Sequence, residues 1–196
     1  MSGIEGSQSG GDAGARRRPR IAIVGAQFGD PLVFAQWIHE RFGVAWRRVD
    51  IGEHDRIQET VIAAVDGVRV EAAIPAFWAP EVVYDHIFRE APDAVLLVLT
   101  AMRDVAHVND MALGWARPHL ARLDIEPVVV VNDPHGRNPK FPTLSGERVR
   151  RAHGVEWSVH ETMVGNFTWP LRWDEGAPET WEGVLARARR TSASSP

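Results

Sequence analysis

The chain has 196 residues, 44% of them hydrophobic and 24% charged, with a net charge of -4; these are globular proportions, and the acidic balance argues against a general nucleic-acid surface. It contains no cysteine, which excludes disulfides, thiolate zinc sites and a cysteine nucleophile and fits an intracellular protein. No apolar run approaches the roughly 18 residues of a membrane span, and the polar, glycine-rich start lacks the apolar core of a signal peptide, so the expected location is the cytoplasm.

Residues 1–19 read as a disordered Gly/Ser/Arg-rich tail, with Arg16-Arg17-Arg18 a solvated linker or, as the minority alternative, an electrostatic tether to an acidic partner or lipid. Arg20-Ile21-Ala22-Ile23-Val24-Gly25 is then an apolar strand ending in glycine. After Ala26-Gln27-Phe28-Gly29-Asp30 a helix opens at Pro31, and its stripe of Leu32, Phe34, Ala35, Ile38 and Phe42 stops at Gly43. Strand, glycine loop and helix in this order aim loop amides and a helix N-terminus at phosphate. The full P-loop pattern G-x-x-x-x-G-K-[ST] is missing: Gly25 to Gly29 is one residue short, and Asp30-Pro31 follows. Asp30 would place a negative charge where a triphosphate needs a cation, and Lys140 is the only lysine in the chain.

Gln58–Val65 and Val68–Ile74, joined by Asp66-Gly67, carry the strongest short hairpin pattern. A helix is expected from Ala79 or Pro80 to about Glu90, then a buried parallel strand over Ala94–Leu99. The next helix runs from Asp104 to about Leu123, with Pro118 expected to kink or divide it. Pro127–Val131 is a second buried strand, followed by the loop Asn132-Asp133-Pro134-His135-Gly136. A helix near Leu144–His153, a strand from Val155 to about His160, a tryptophan-bearing loop and a helix over Pro178–Arg190 complete a single domain of residues 20–190. Residues 191–196 are left as a disordered tail. The expected fold is α/β, three-layered, with a mostly parallel sheet and one antiparallel hairpin.

This element order resembles a Ras-like small GTPase domain of the P-loop NTPase fold, and 21 arginines to one lysine hint at a GC-rich bacterial genome. The motifs depart from the family where chemistry resides. Only Gly25 and Gly29 match the P-loop. Where D-x-x-G should follow the hairpin stands Ile74-Pro75-Ala76-Phe77, with Trp78 in place of the water-orienting glutamine. At N-K-x-D the chain has Asn132-Asp133-Pro134-His135, so His135 replaces the carboxylate that reads guanine. Ser158-Val159-His160 is aligned with the S-A-K loop. The resemblance therefore implies remnant nucleotide-binding positions at Gly25, Gly29, Asp30, Asn132, Asp133, His135 and Ser158, with no catalytic residue and no magnesium site. Phosphoryl transfer relies on positioning and charge neutralisation, so hydrolysis is expected to be absent or very weak.

The expected function is a protein-interaction or regulatory module without a cofactor, contacting a protein partner through Phe77, Trp78, Trp169 and Trp173. Alternatively these aromatics fill the vacated pocket. A second alternative keeps GTP or GDP binding, or an altered base, without hydrolysis. A third is a degenerate flavin- or nicotinamide-binding domain, with Glu53 near the distance of a ribose ligand and the early hairpin against it. Eight histidines show no H-x-x-x-H spacing. They read as scattered surface or core residues and no metal site is expected; the minority alternative is that His135 and His160, both placed after strand ends, converge on a ligand, while Ser158, His160 and Asp133 lack a nucleophile elbow. Trp37, Trp115 and Trp157 are expected in the core.

Overall fold

A strand with helices on both faces must be apolar at every position, because successive side chains point to opposite sides. In β5 (Ala94–Thr100), Ala94, Leu96 and Val98 enter one core and Val95, Leu97 and Leu99 the other, and all six are fully buried. β1 (Arg20–Gly25) and β6 (Val128–Asn132) divide their side chains in the same way. The structure, a computed structural model, describes residues 17–26, 31–51, 59–73, 80–165 and 174–194.

The remaining elements are α1 (Pro31–Phe42), β2 (Arg47–Asp50), β3 (Glu59–Val65), β4 (Val68–Ala73), α2 (Pro80–Arg89), α3 (His107–Leu123), α4 (Gly146–Ala152), β7 (Val159–Val164), β8 (Asp174–Glu175) and α5 (Ala177–Ser194). Among the described residues the strands form one eight-stranded sheet in the order β2-β3-β4-β1-β5-β6-β7-β8. The pairs from β4 through β1, β5 and β6 to β7 are parallel, and β2/β3, β3/β4 and β7/β8 are antiparallel. α1 and α5 cover one face, with Phe34, Ile38, Trp181 and Val184 in its core. α2, α3 and α4 cover the other through Ile87, Phe88, Leu113, Leu120 and Val149. The expected three-layer α/β fold is present, and the antiparallel β3/β4 pair beside β1 departs from the all-parallel dinucleotide fold.

Local chemistry sets the boundaries. The β3/β4 turn places Asp66 at φ 48° and Gly67 at φ 78°, the positive values that a two-residue type I′ hairpin requires. The Ser145 hydroxyl caps α4 by accepting from the Arg148 amide.

Several expectations need correction. α3 is not divided at Pro118, which lies on its exposed side. Ala112, Leu113, Ala116 and Leu120 pack on both sides of the proline, and this burial outweighs a penalty of about 3 kcal/mol. The strand expected over Val155–His160 lies instead at β7, Val159–Val164. Val155 and Trp157 mimic alternation, but they are loop residues after Gly154, whose φ is 57°, packed into and against the second core. Strands β2 and β8, short and polar, were not anticipated. α5 extends to Ser194, past the expected end at Arg190, with the Thr191 and Ser194 hydroxyls donating to carbonyls four residues back. Within the expected linker, Arg17 is exposed and pairs with Asp93 at 2.9 Å while donating to the Ala91 carbonyl. Trp37 is buried as expected, edge-to-face with Trp181 at 6.4 Å, whereas Trp115 and Trp157 are partly buried against the second core.

Candidate functional site

In open α/β sheets a ligand crevice forms outside the carboxyl ends of the strands, where the order of connection reverses. Here that place is the end of β1, since β1 leads through α1 to strands on one side and α2 leads to β5 on the other. Gly25 closes β1 level with Val98, and Asn132 closes β6 between Thr100 of β5 and Thr162 of β7. Gly25 and Asn132 therefore lie along one sheet edge, with Asp133 and His135 in the loop beyond. Gly29, Asp30, Glu53, Phe77, Trp78, Trp169 and Trp173 lie outside the described residues.

Asn132 is fully buried, and its side chain is a strut between β6 and β7. Its Nδ2 donates to the Val164 carbonyl at 3.0 Å, while Oδ1 accepts from the Val164 amide at 2.8 Å and from the Thr162 hydroxyl at 3.0 Å. Both ends of the amide are engaged by protein.

The next carboxylate is turned back on its own loop. Asp133 Oδ1 accepts from the His135 amide at 2.9 Å and Oδ2 from the Arg137 amide at 2.7 Å. This two-pronged cap holds the turn in which Gly136 (φ 62°) and Arg137 (φ 61°) are left-handed. His135 is 6% exposed, and its ring stacks on Phe141 with centroids 3.9 Å apart and planes 7° from parallel. Burial pushes the imidazole below its usual pKa, against the opposing charge of Asp133, so the ring is neutral at pH 7.

Gly25 is explained by close approach. A Cβ there would stand 1.9 Å from the Val98 carbonyl oxygen, and the adjacent Ala26 amide donates to that same oxygen at 2.7 Å. From α2 the buried Tyr84 hydroxyl reaches the Gly25 carbonyl at 3.4 Å, and burial raises its pKa. Sequence reasoning missed Tyr84, and it missed Asn109. That fully buried amide on α3 accepts from the Thr100 amide at 2.9 Å and donates to the Thr100 carbonyl at 3.0 Å. The available signal was an asparagine beside Val108 on the apolar stripe of a helix.

Ser158 is not at this edge. It precedes β7, at the strand end remote from Val164. His160 is a strand residue level with Val130, not a residue after a strand end, and does not converge with His135. A cavity of about 260 Å³ opens beside the Asp133 loop on the α4 side, bordered by Arg137, Glu161, Thr162 and Glu175. Its carboxylates are engaged: Glu161 accepts the Gly146 amide at 2.6 Å, and Glu175 pairs with Arg137 at 3.0 Å.

No protein-family model matches the chain, and no curated protein matches it in sequence. Among solved structures, the G domain of the FeoB iron transporter of T. maritima is similar in fold, with a TM-score of 0.50 at 11% identity. The match covers 87% of this chain and 98% of that one. The chain thus has the fold of a P-loop GTPase G domain. Among the described residues no helix is long and apolar enough to cross a membrane.

Proposed function

We propose that this chain is a G-domain scaffold that no longer hydrolyses nucleotide and acts as a protein-interaction or regulatory module. The observation that carries the reading is the Asn132–Arg137 loop. Guanine recognition by this fold needs a free carboxylate at the position of His135, and that position holds a neutral imidazole stacked on Phe141. The adjacent carboxylate, Asp133, is occupied by two backbone amides, and Glu161 and Glu175 at the neighbouring cavity are engaged by the Gly146 amide and by Arg137.

Of the motif residues that remain, Gly25 and Asn132 have packing and hydrogen-bonding reasons to remain. Their presence therefore does not argue for nucleotide. The lone lysine, Lys140, is exposed in the loop after β6, where its amide donates to Asn138. A scaffold relieved of the nucleotide would present the stretches after β4 and β7, with Phe77, Trp78, Trp169 and Trp173, to a protein partner.

Titration calorimetry with GTP, GDP and ATP, with and without magnesium, is the test. No heat of binding at 1 mM nucleotide is expected, roughly the weakest dissociation constant such an experiment resolves. Micromolar affinity accompanied by magnesium-dependent phosphate release would refute the proposal. Tight binding without release would instead establish a non-hydrolysing nucleotide switch.

A further inference from the structure

At the sheet end remote from Asn132, the face that carries α2 is left partly uncovered over β3 and the start of β4. A cavity of about 460 Å³ opens there, walled by Arg17, Arg18 and Arg69 and floored by Ile62 and Ala64. Strand register explains this composition. Arg47 stands opposite Ile62, Ile62 opposite Glu71, and Ala64 opposite Arg69; directly opposed residues of antiparallel strands share a face.

Part of the positive charge is neutralised from beneath. Buried Glu71 accepts from Arg20 at 2.8 Å and from Arg69 at 3.3 Å, and Arg17 pairs with Asp93. What faces outward is Arg18 and Arg47, which have no partner among the described residues, and Arg69, whose side chain is 43% exposed. Glu90 is the acid on the rim. β2 pairs with β3 only as far as Ile62, so the outer edge of β3 from Ala63 to Val65 has no strand beside it among the described residues.

We propose that this shelf docks an extended, acidic segment of a protein partner. Added in the plane of the sheet beside β3, the segment would turn its carboxylates to Arg18, Arg47 and Arg69 on the Ile62–Ala64 face, while the intervening apolar side chains point to the opposite face, on the side of Val61 and Val65. The strand-like spacing of the floor suits an extended chain, and the open edge of β3 offers it backbone hydrogen bonds. Charge complementarity selects the occupant: the protein carries a net charge of -4, so an acidic segment is repelled by much of the surface and drawn to this shelf. The shelf is at the opposite end from the Asn132 edge, and the inference does not rest on the proposed loss of hydrolysis.

Fluorescence anisotropy with a labelled hexapeptide of alternating Glu and Val tests it, using the full chain at low ionic strength. The acidic peptide is expected to bind, and a Lys-Val peptide of equal length is not. Arg18→Glu with Arg47→Glu should weaken binding about tenfold or more, since each reversal turns an attraction into a repulsion. Ala64→Trp, which fills the floor without changing charge, should also weaken it. Arg103→Glu, at the far end of β5, should leave it unchanged. Thermal melts of each variant establish that it is folded. No binding, equal weakening by Arg103→Glu, indifference to Ala64→Trp, or equally tight binding of an oligothymidine with the same variant sensitivity would overturn the proposal.

Discussion

Asn132→Ala separates structure from chemistry at the candidate site. The side chain is fully buried and makes three hydrogen bonds, to the amide and carbonyl of Val164 and to the hydroxyl of Thr162. Truncation leaves three buried polar groups without partners. Each unsatisfied group costs about 1 to 3 kcal/mol, and a water entering the space would recover part of this, so the expected loss is about 3 to 5 kcal/mol. Against a total stability of about 5 to 15 kcal/mol, that is a large fraction. Urea denaturation at pH 7 measures it, with and without 1 mM GTP. The loss should be the same in both conditions, because the side chain is committed to β7. A loss below about 1 kcal/mol, or a midpoint that GTP raises in wild type and not in the variant, would refute the strut and point to a ligand role.

Gly25→Ala should destabilise by several kcal/mol or yield no soluble protein, because its Cβ would overlap the Val98 carbonyl; urea denaturation or the soluble yield reads this. Glu71→Ala should cost about 3 to 5 kcal/mol by stranding the buried Arg20, whereas the double change Arg20→Met and Glu71→Met should be close to neutral; a double-mutant cycle by denaturation distinguishes them. Burial lowers the pKa of His135 and His119 below the usual 6.5, so the unfolded chain binds protons first as pH falls. Stability should be full above about pH 6.5 and decline towards the depressed folded values. His135→Phe should keep the stack on Phe141 and flatten part of that decline, as melting temperatures between pH 5 and 8 would show.

The apolar strands were legible because burial on both faces leaves no room for polar positions, as Val95 to Leu99 illustrate. The Asp66-Gly67 turn was legible because few dipeptides accept two positive φ angles. The end of the domain was harder. Val155, Trp157 and Val159 alternate as a strand would, but local periodicity does not reveal that Val155 is a loop residue filling a core gap, and β7 was placed four residues early. That error carried Ser158 to the wrong end of the sheet. Pro118 misled in the opposite direction, since propensity does not register packing on both of its flanks. At the site, the loss of a guanine-reading carboxylate could be read from His135. That Asp133 folds back on the amides of His135 and Arg137 depends on the turn geometry of its own loop, that Asn109 braces Thr100 depends on how α3 docks on β5, and that Tyr84 reaches Gly25 depends on a contact between residues far apart in sequence.

The Ser192 hydroxyl reaches the Arg17 carbonyl at 3.4 Å, so the first and last described segments meet at one pole, beside the arginine shelf and away from Asn132. A short bridge between them, with a new opening at the Asp66-Gly67 turn, would give a circularly permuted chain that keeps every sheet neighbour. Affinity handles fused near either of these segments would crowd the shelf, whereas the Asn132 edge would stay clear of them.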